Sequence, residues 1–129
     1  MKIQERDCGE VGGYMAKRRM FSNEVVCTDD FLRLSATSQA IYLQLGMVAD
    51  DDGFVANPKM IARAYYAGLK FLKELIDKGY VLQFETGVIV VTHWNLANKV
   101  PKDRYCPTQF TEELAQVAIE KGRYTKPPR

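Results

Sequence analysis

Asp50-Asp51-Asp52-Gly53 places three carboxylates ahead of a glycine, the residue types of a calcium loop. If Gly53 took the sixth position of such a loop, the first ligand would fall on Val48 and the twelfth on Lys59. An EF-hand needs carboxylates at both places, so the run reads as a turn. Cys8, Cys27, Cys106 and His93 are the candidate soft ligands. Structural zinc sites pair cysteines two to four residues apart, and no such pair occurs, so no metal site is expected. The single histidine, with no glycine-rich phosphate loop and no nucleophile elbow, leaves no catalytic set. The reading is of a protein that is not an enzyme and carries no cofactor.

Two basic clusters propose different chemistry. One is Lys17-Arg18-Arg19. The other is Lys99, Lys102 and Arg104, flanking Tyr105 in a segment bounded by Pro101 and Pro107. Clustered cations supply salt-dependent affinity for phosphates, and an exposed aromatic can stack on a base. The competing reading is ordinary surface solubility, with Tyr105 packed on the domain.

These residues sit in a chain of 129, one domain's worth. Hydrophobic residues make up 47% and charged residues 26%, a globular balance. The net charge of +2, from 18 basic and 16 acidic side chains, is too small to argue for nucleic acid by itself. No apolar run is long enough to span a bilayer, and the charged N-terminus lacks the apolar stretch of a signal peptide. Three widely separated cysteines suit reduced thiols, which makes the expected location cytoplasmic.

The elements follow from turn chemistry and periodicity. Phe21–Cys27, with Val25-Val26-Cys27, reads as a short strand. Thr28-Asp29-Asp30 supplies an N-cap for an apolar turn at Phe31, Leu32 and Leu34. A helix capped by Ser35 or Thr37 runs to about Ala49, with Ala40, Ile41, Leu45 and Val48 at helical spacing. Phe54-Val55-Ala56 is a very short strand. Asn57-Pro58 starts a helix carrying Met60, Ile61, Ala64 and Tyr65, and Gly68 breaks it. A further helix spans about Leu69 to Lys78, with Leu72 and Ile76 facing the same way as Leu69, and Gly79 ends it. Strands Tyr80–Phe84 and Val88–Thr92 form a hairpin closed at Gly87, with Trp94 covering the core. A last helix is expected from Thr111 to Lys121. This order is that of an α+β winged helix, a helix-turn-helix core with a β-hairpin wing, extended at both ends.

The ordered unit is expected to cover residues 15–125, with 126–129 a disordered end. Residues 1–14 hold Gly9, Gly12 and Gly13 and no periodicity. Glu10-Val11 can be encoded by a ribosome-binding-site-like GAGGTG three codons before Met15. The segment is therefore either a translated leader, with Met15 the natural start, or a native flexible tail.

Several segments together resemble a known family. They are Ala16-Lys17-Arg18-Arg19-Met20-Phe21-Ser22, Ala49-Asp50-Asp51-Asp52-Gly53-Phe54-Val55, Asn57-Pro58-Lys59, His93-Trp94, Asn98, Lys102-Asp103-Arg104-Tyr105 and Pro107-Thr108. In this order and spacing they look like the N-terminal domain of phage replisome organiser proteins, which are similar to the DnaD-like primosome and helicase-loading family. The resemblance, over about residues 16–125, implies a winged-helix domain that binds DNA and self-associates in replication initiation. Family members usually carry a further C-terminal region, so helicase or helicase-loader recruitment is the least supported part of that expectation.

The expected DNA-binding residues are Lys17, Arg18, Arg19, Lys99, Lys102, Arg104 and Tyr105, with Lys70 and Lys73 on the third core helix. Two i, i+4 pairs, Lys70 with Glu74 and Lys73 with Asp77, partly neutralise that helix. The wing tip holds Glu85 and Thr86 and no cation, which argues against phosphate contact there. A homodimer is expected through Phe21, Val25, Val26, Phe31 and Leu32, because an unpaired strand edge invites a second chain. Two alternatives stand beside this reading. One is a protein-interaction module that does not touch DNA, with Tyr65, Tyr66 and Tyr105 as aromatic anchors. The other is a winged-helix transcriptional regulator.

Overall fold

A computed structural model describes residues 18–126. Lys17, Cys8 and the proposed leader lie outside these residues. The chain mixes helices with two small antiparallel sheets.

The segment read as a strand, Phe21–Cys27, instead forms a single-turn helix, α1 (Asn23–Val26), and the turn expected after the Thr28 cap is a second one, α2 (Asp29–Leu32). Ser22 accepts from the Glu24 amide and Thr28 from the Phe31 amide. Two hydroxyl caps six residues apart each start a helical turn, and this outweighs the β preference of Val25-Val26. Val25 and Phe31 enter the core, while Phe21 and Val26 pack against it. The strand edge expected to pair with another chain therefore does not exist, and of its five residues only Leu32 is exposed.

Helix α3 (Ala36–Val48) buries Ile41, Tyr42, Leu45 and Gly46. Gly46 has a packing role there: a Cβ on it would lie 2.6 Å from the Phe21 ring. Strand β1 (Phe54–Val55) leads into α4 (Pro58–Ala62) and then α5 (Gly68–Asp77). Gly68 does not end the first of these helices at a distance; it opens the second, pressed against the first. A Cβ on Gly68 would sit 1.7 Å from the Ala62 carbonyl oxygen, so only glycine permits this crossing. The core face of α5 is Gly68, Leu72 and Leu75. Leu69, expected to share the buried face, is 44% exposed, and Ile76 is only partly buried.

Strands β2 (Val81–Gln83) and β3 (Ile89–Val91) form the expected hairpin, and β1 adds on the far side to give the order β1-β3-β2. Phe54 pairs with Val90, and Leu82 pairs with Val90 from the other edge. Central β3 is buried at every residue, which accounts for its run of β-branched side chains. Helix α6 (Trp94–Ala97) begins with the buried Trp94.

The C-terminal expectation needs the largest correction. The helix there is only α7 (Thr111–Leu114), and the chain then turns into a hairpin of β4 (Ala118–Glu120) and β5 (Arg123–Thr125). Lys121 and Gly122 both have positive φ, 52° and 84°, which is the backbone of a two-residue hairpin turn. Tyr124 then enters the core, its amide donating to the Thr92 carbonyl at 2.7 Å. Cys27 is a free, exposed thiol, but Cys106 is disulfide-bonded, so the reading of all three cysteines as reduced thiols does not hold. No helix among the described residues is long and apolar enough to cross a membrane.

Candidate nucleic-acid interface

The acidic turn between α3 and β1 organises the region. Asp50 Oδ1 accepts from the amides of Asp52 (2.9 Å) and Phe54 (3.0 Å), which shapes the turn. Its other oxygen accepts from the Thr108 hydroxyl at 2.6 Å. Burial raises the Asp50 carboxyl above its ordinary pKa, and the bond from Thr108 partly offsets this. Gly53 closes the turn at φ +92°, against the Trp94 ring.

Asp51 and Asp52 reach outward to other segments. Asp51 Oδ1 accepts from the Arg19 guanidinium at 3.0 Å, and both side chains are nearly buried, 5% and 7% exposed. The same guanidinium donates to the Ala49 carbonyl and lies 5.1 Å from the centroid of Trp94. The Trp94 indole N–H donates to the Asp51 carbonyl, and Asp51 Oδ2 accepts from the Cys106 amide, both at 2.9 Å. Asp52 accepts from the Tyr105 hydroxyl and the Thr108 amide at 2.8 Å. Burial, and then the bond to Asp52, push the Tyr105 hydroxyl well above the ordinary tyrosine pKa. Asn98, which follows α6, holds the N-terminal arm: it accepts from the Met20 amide and donates to the Met20 carbonyl.

These contacts bring the two sequence-distant basic clusters together. Arg18, Lys99 and Arg104 line one cleft of ≈ 290 Å³, and Lys99, Lys102 and Tyr105 line a second of ≈ 370 Å³. The two clefts share Asp51, Asn98, Lys99 and Val100, so they form one continuous surface. Arg18, Lys99, Lys102 and Arg104 are all exposed. The acid beneath them is largely satisfied, Asp51 by Arg19 and Asp52 by neutral donors. Four exposed cations around a concave surface can take phosphate oxygens.

Two expected members have other duties. Arg19 is spent on Asp51, Ala49 and Trp94, so it is not available to a phosphate. The Tyr105 hydroxyl is bound to Asp52, although the residue keeps 41% of its surface exposed. On α5, Lys73 pairs with Asp77 at 2.8 Å as expected. Lys70 does not pair with Glu74: its ammonium lies 5.5 Å from the Phe71 ring centroid, and Glu74 accepts from the Ser38 hydroxyl of α3 instead. The tip of the β2–β3 hairpin is occupied from within the chain. Thr86 donates to Glu113 of α7 at 2.6 Å, and the Lys126 ammonium lies over the Phe84 ring.

Lys59 and Arg63 went unrecognised in the sequence. They are exposed on and just after α4, one helical turn apart, and Lys70 and Lys73 of α5 are exposed as well. The signal was available: no Asp or Glu occurs between Asp52 and Glu74. No group of three or more His, Cys, Asp or Glu side chains among the described residues is placed to hold a metal ion. No family model matches this chain, and no curated protein and no solved structure matches it.

Proposed function

We propose that this chain is a winged-helix, nucleic-acid-binding module of a phage-type replication initiation protein. The observation that carries the binding reading is the meeting of Arg18 with Lys99, Lys102 and Arg104 on one concave surface. The order α3-β1-α4-α5-β2-β3, with strands arranged β1-β3-β2, supports a helix-turn-helix closed by a wing. The acid-free stretch from Gly53 to Lys73 supplies a second set of cations, Lys59, Arg63 and Lys70. The replication context rests on the segment resemblance to replisome organisers. The deciding experiment titrates labelled duplex and single-stranded oligonucleotides at several salt concentrations. Binding should weaken steeply with salt and fall when Lys99, Lys102 and Arg104 are replaced together by Ala. Unchanged affinity in that triple variant would overturn the assignment of this surface.

A second reading, a protein-interaction module, is favoured by one observation. Tyr66 is 96% exposed in the turn between α4 and α5, and Met60 of α4 and Leu69 of α5 are also exposed, at 63% and 44%. Exposed apolar and aromatic side chains of this kind mark interaction surfaces. Self-association belongs to both readings and is tested by light scattering across micromolar concentrations. Tyr66→Ser with Leu69→Ser should shift any oligomer toward monomer, whereas DNA affinity lost without such a shift favours the first reading.

A further inference from the structure

We infer that Asp51, an acid, is a positioning residue that strengthens polyanion binding at the basic surface, a step that rests on the nucleic-acid reading above. Arg18 sits immediately before two anchored residues. Arg19 is fixed by the buried pair with Asp51, and Met20 is fixed by both of its backbone bonds to Asn98. The second half of the surface, Lys99 to Arg104, leads directly into Cys106, whose amide donates to the other oxygen of the same Asp51 carboxylate. One carboxylate therefore ties both basic segments to the turn, one through each oxygen. Its own charge is cancelled at short range by Arg19 and screened from solvent, with 7% of the side chain exposed. Its cost to an approaching phosphate is small, and what it supplies is order in the cations, so that binding does not have to immobilise them.

This reverses the sign that simple electrostatics would give. Removing a negative charge from a basic surface should tighten its hold on a polyanion. Asp51→Asn, which keeps the shape and one acceptor, should instead weaken binding of a labelled duplex oligonucleotide by about threefold or more and lower the salt slope by about one phosphate contact. Asp103→Asn is the electrostatic control: Asp103 is exposed in the same basic segment, and its loss should tighten binding. Asn98→Ala frees Met20 without altering charge or the Trp94 packing, and should weaken binding as Asp51→Asn does. Arg18→Ala should weaken the parent chain but add little in the Asp51→Asn background, because Arg18 is already released there.

Hydrogen exchange at the Met20 amide reports the clamp without reference to ligand, and should accelerate in Asp51→Asn. A parent chain that leaves the probe unbound at low salt overturns the nucleic-acid reading. A parent that binds, with Asp51→Asn and Asn98→Ala binding as tightly or more tightly, overturns the role of Asp51 alone. Should Asp51→Asn fail to fold, Asn98→Ala against Asp103→Asn still decides the matter by the direction of the change.

Discussion

The Tyr124 hydroxyl donates a 2.7 Å hydrogen bond to the backbone carbonyl of Asp52, 72 residues earlier. Tyr124 is 2% exposed, and its ring lies 5.9 Å from that of Phe54. Burial, its main perturbation, pushes the Tyr124 phenol up to about 12. Through Tyr124 the last described strand reaches the core. Tyr124→Phe keeps the ring and removes one donor from a buried carbonyl, so it should cost about 1–2 kcal/mol. Tyr124→Ala should cost about 3–5 kcal/mol. Urea denaturation of both variants checks the difference.

Thr86→Ala separates stability from binding at the tip of the β2–β3 hairpin. Thr86 donates to Glu113, a carboxylate on a residue only 6% exposed. Its loss should destabilise the chain by about 1–3 kcal/mol, since the buried acceptor is left unpaired. DNA affinity should stay within about twofold of the parent, because no phosphate contact is removed. A large loss of affinity in a folded Thr86→Ala chain would place nucleic acid on this hairpin.

Gly68→Ala tests the helix crossing. The added carbon would need the Ala62 carbonyl, at 1.7 Å, to move, and backbone cannot yield as a side-chain tip can. The expected loss is about 3 kcal/mol, the upper end of the usual overpacking cost, because the contact is with rigid backbone. Circular dichroism melting should show it. Gly79→Ala makes a useful comparison, since nothing lies within 4 Å of its added carbon and only the positive φ of 84° opposes it.

The single histidine makes one pH effect assignable. Burial, with Arg123 nearby, lowers the His93 pKa below its ordinary 6.5. The unfolded chain therefore binds this proton at a higher pH than the folded one. Stability should fall as pH drops below about 6.5, until the lowered folded pKa is reached, and then level off. His93→Gln should remove that slope, as measured by urea denaturation between neutral and mildly acidic pH. Asp50 acts in the opposite sense. Its raised pKa means the folded chain holds this proton more tightly, so its contribution to stability improves as pH falls through the raised pKa toward 3.8. Asp50→Asn should abolish that acid-side gain.

Local chemistry in the sequence determined most of the central elements. Asn57-Pro58 before α4, Gly79 after α5 and Gly87 in the β2–β3 hairpin each act through backbone geometry set by one or two residues, and that geometry needs no distant partner. The same holds for the acidic turn, where Asp50 accepts from amides only two and four residues ahead. The C-terminal hairpin carried an equally local signal in Lys121-Gly122. The helical spacing of Leu114, Val117 and Ala118 obscured it, yet Ala118 lies exposed on β4. Val25-Val26 misled in the other direction, because the side-chain cap at Ser22 decides a four-residue segment more strongly than β propensity does. What only tertiary structure decided is which charges are free. Arg18 and Arg19 are adjacent cations, indistinguishable by type, but one meets solvent and the other is buried against Asp51 and Trp94. That difference depends on segments 32 and 75 residues away coming within bonding distance of Arg19, and no local pattern encodes such a meeting.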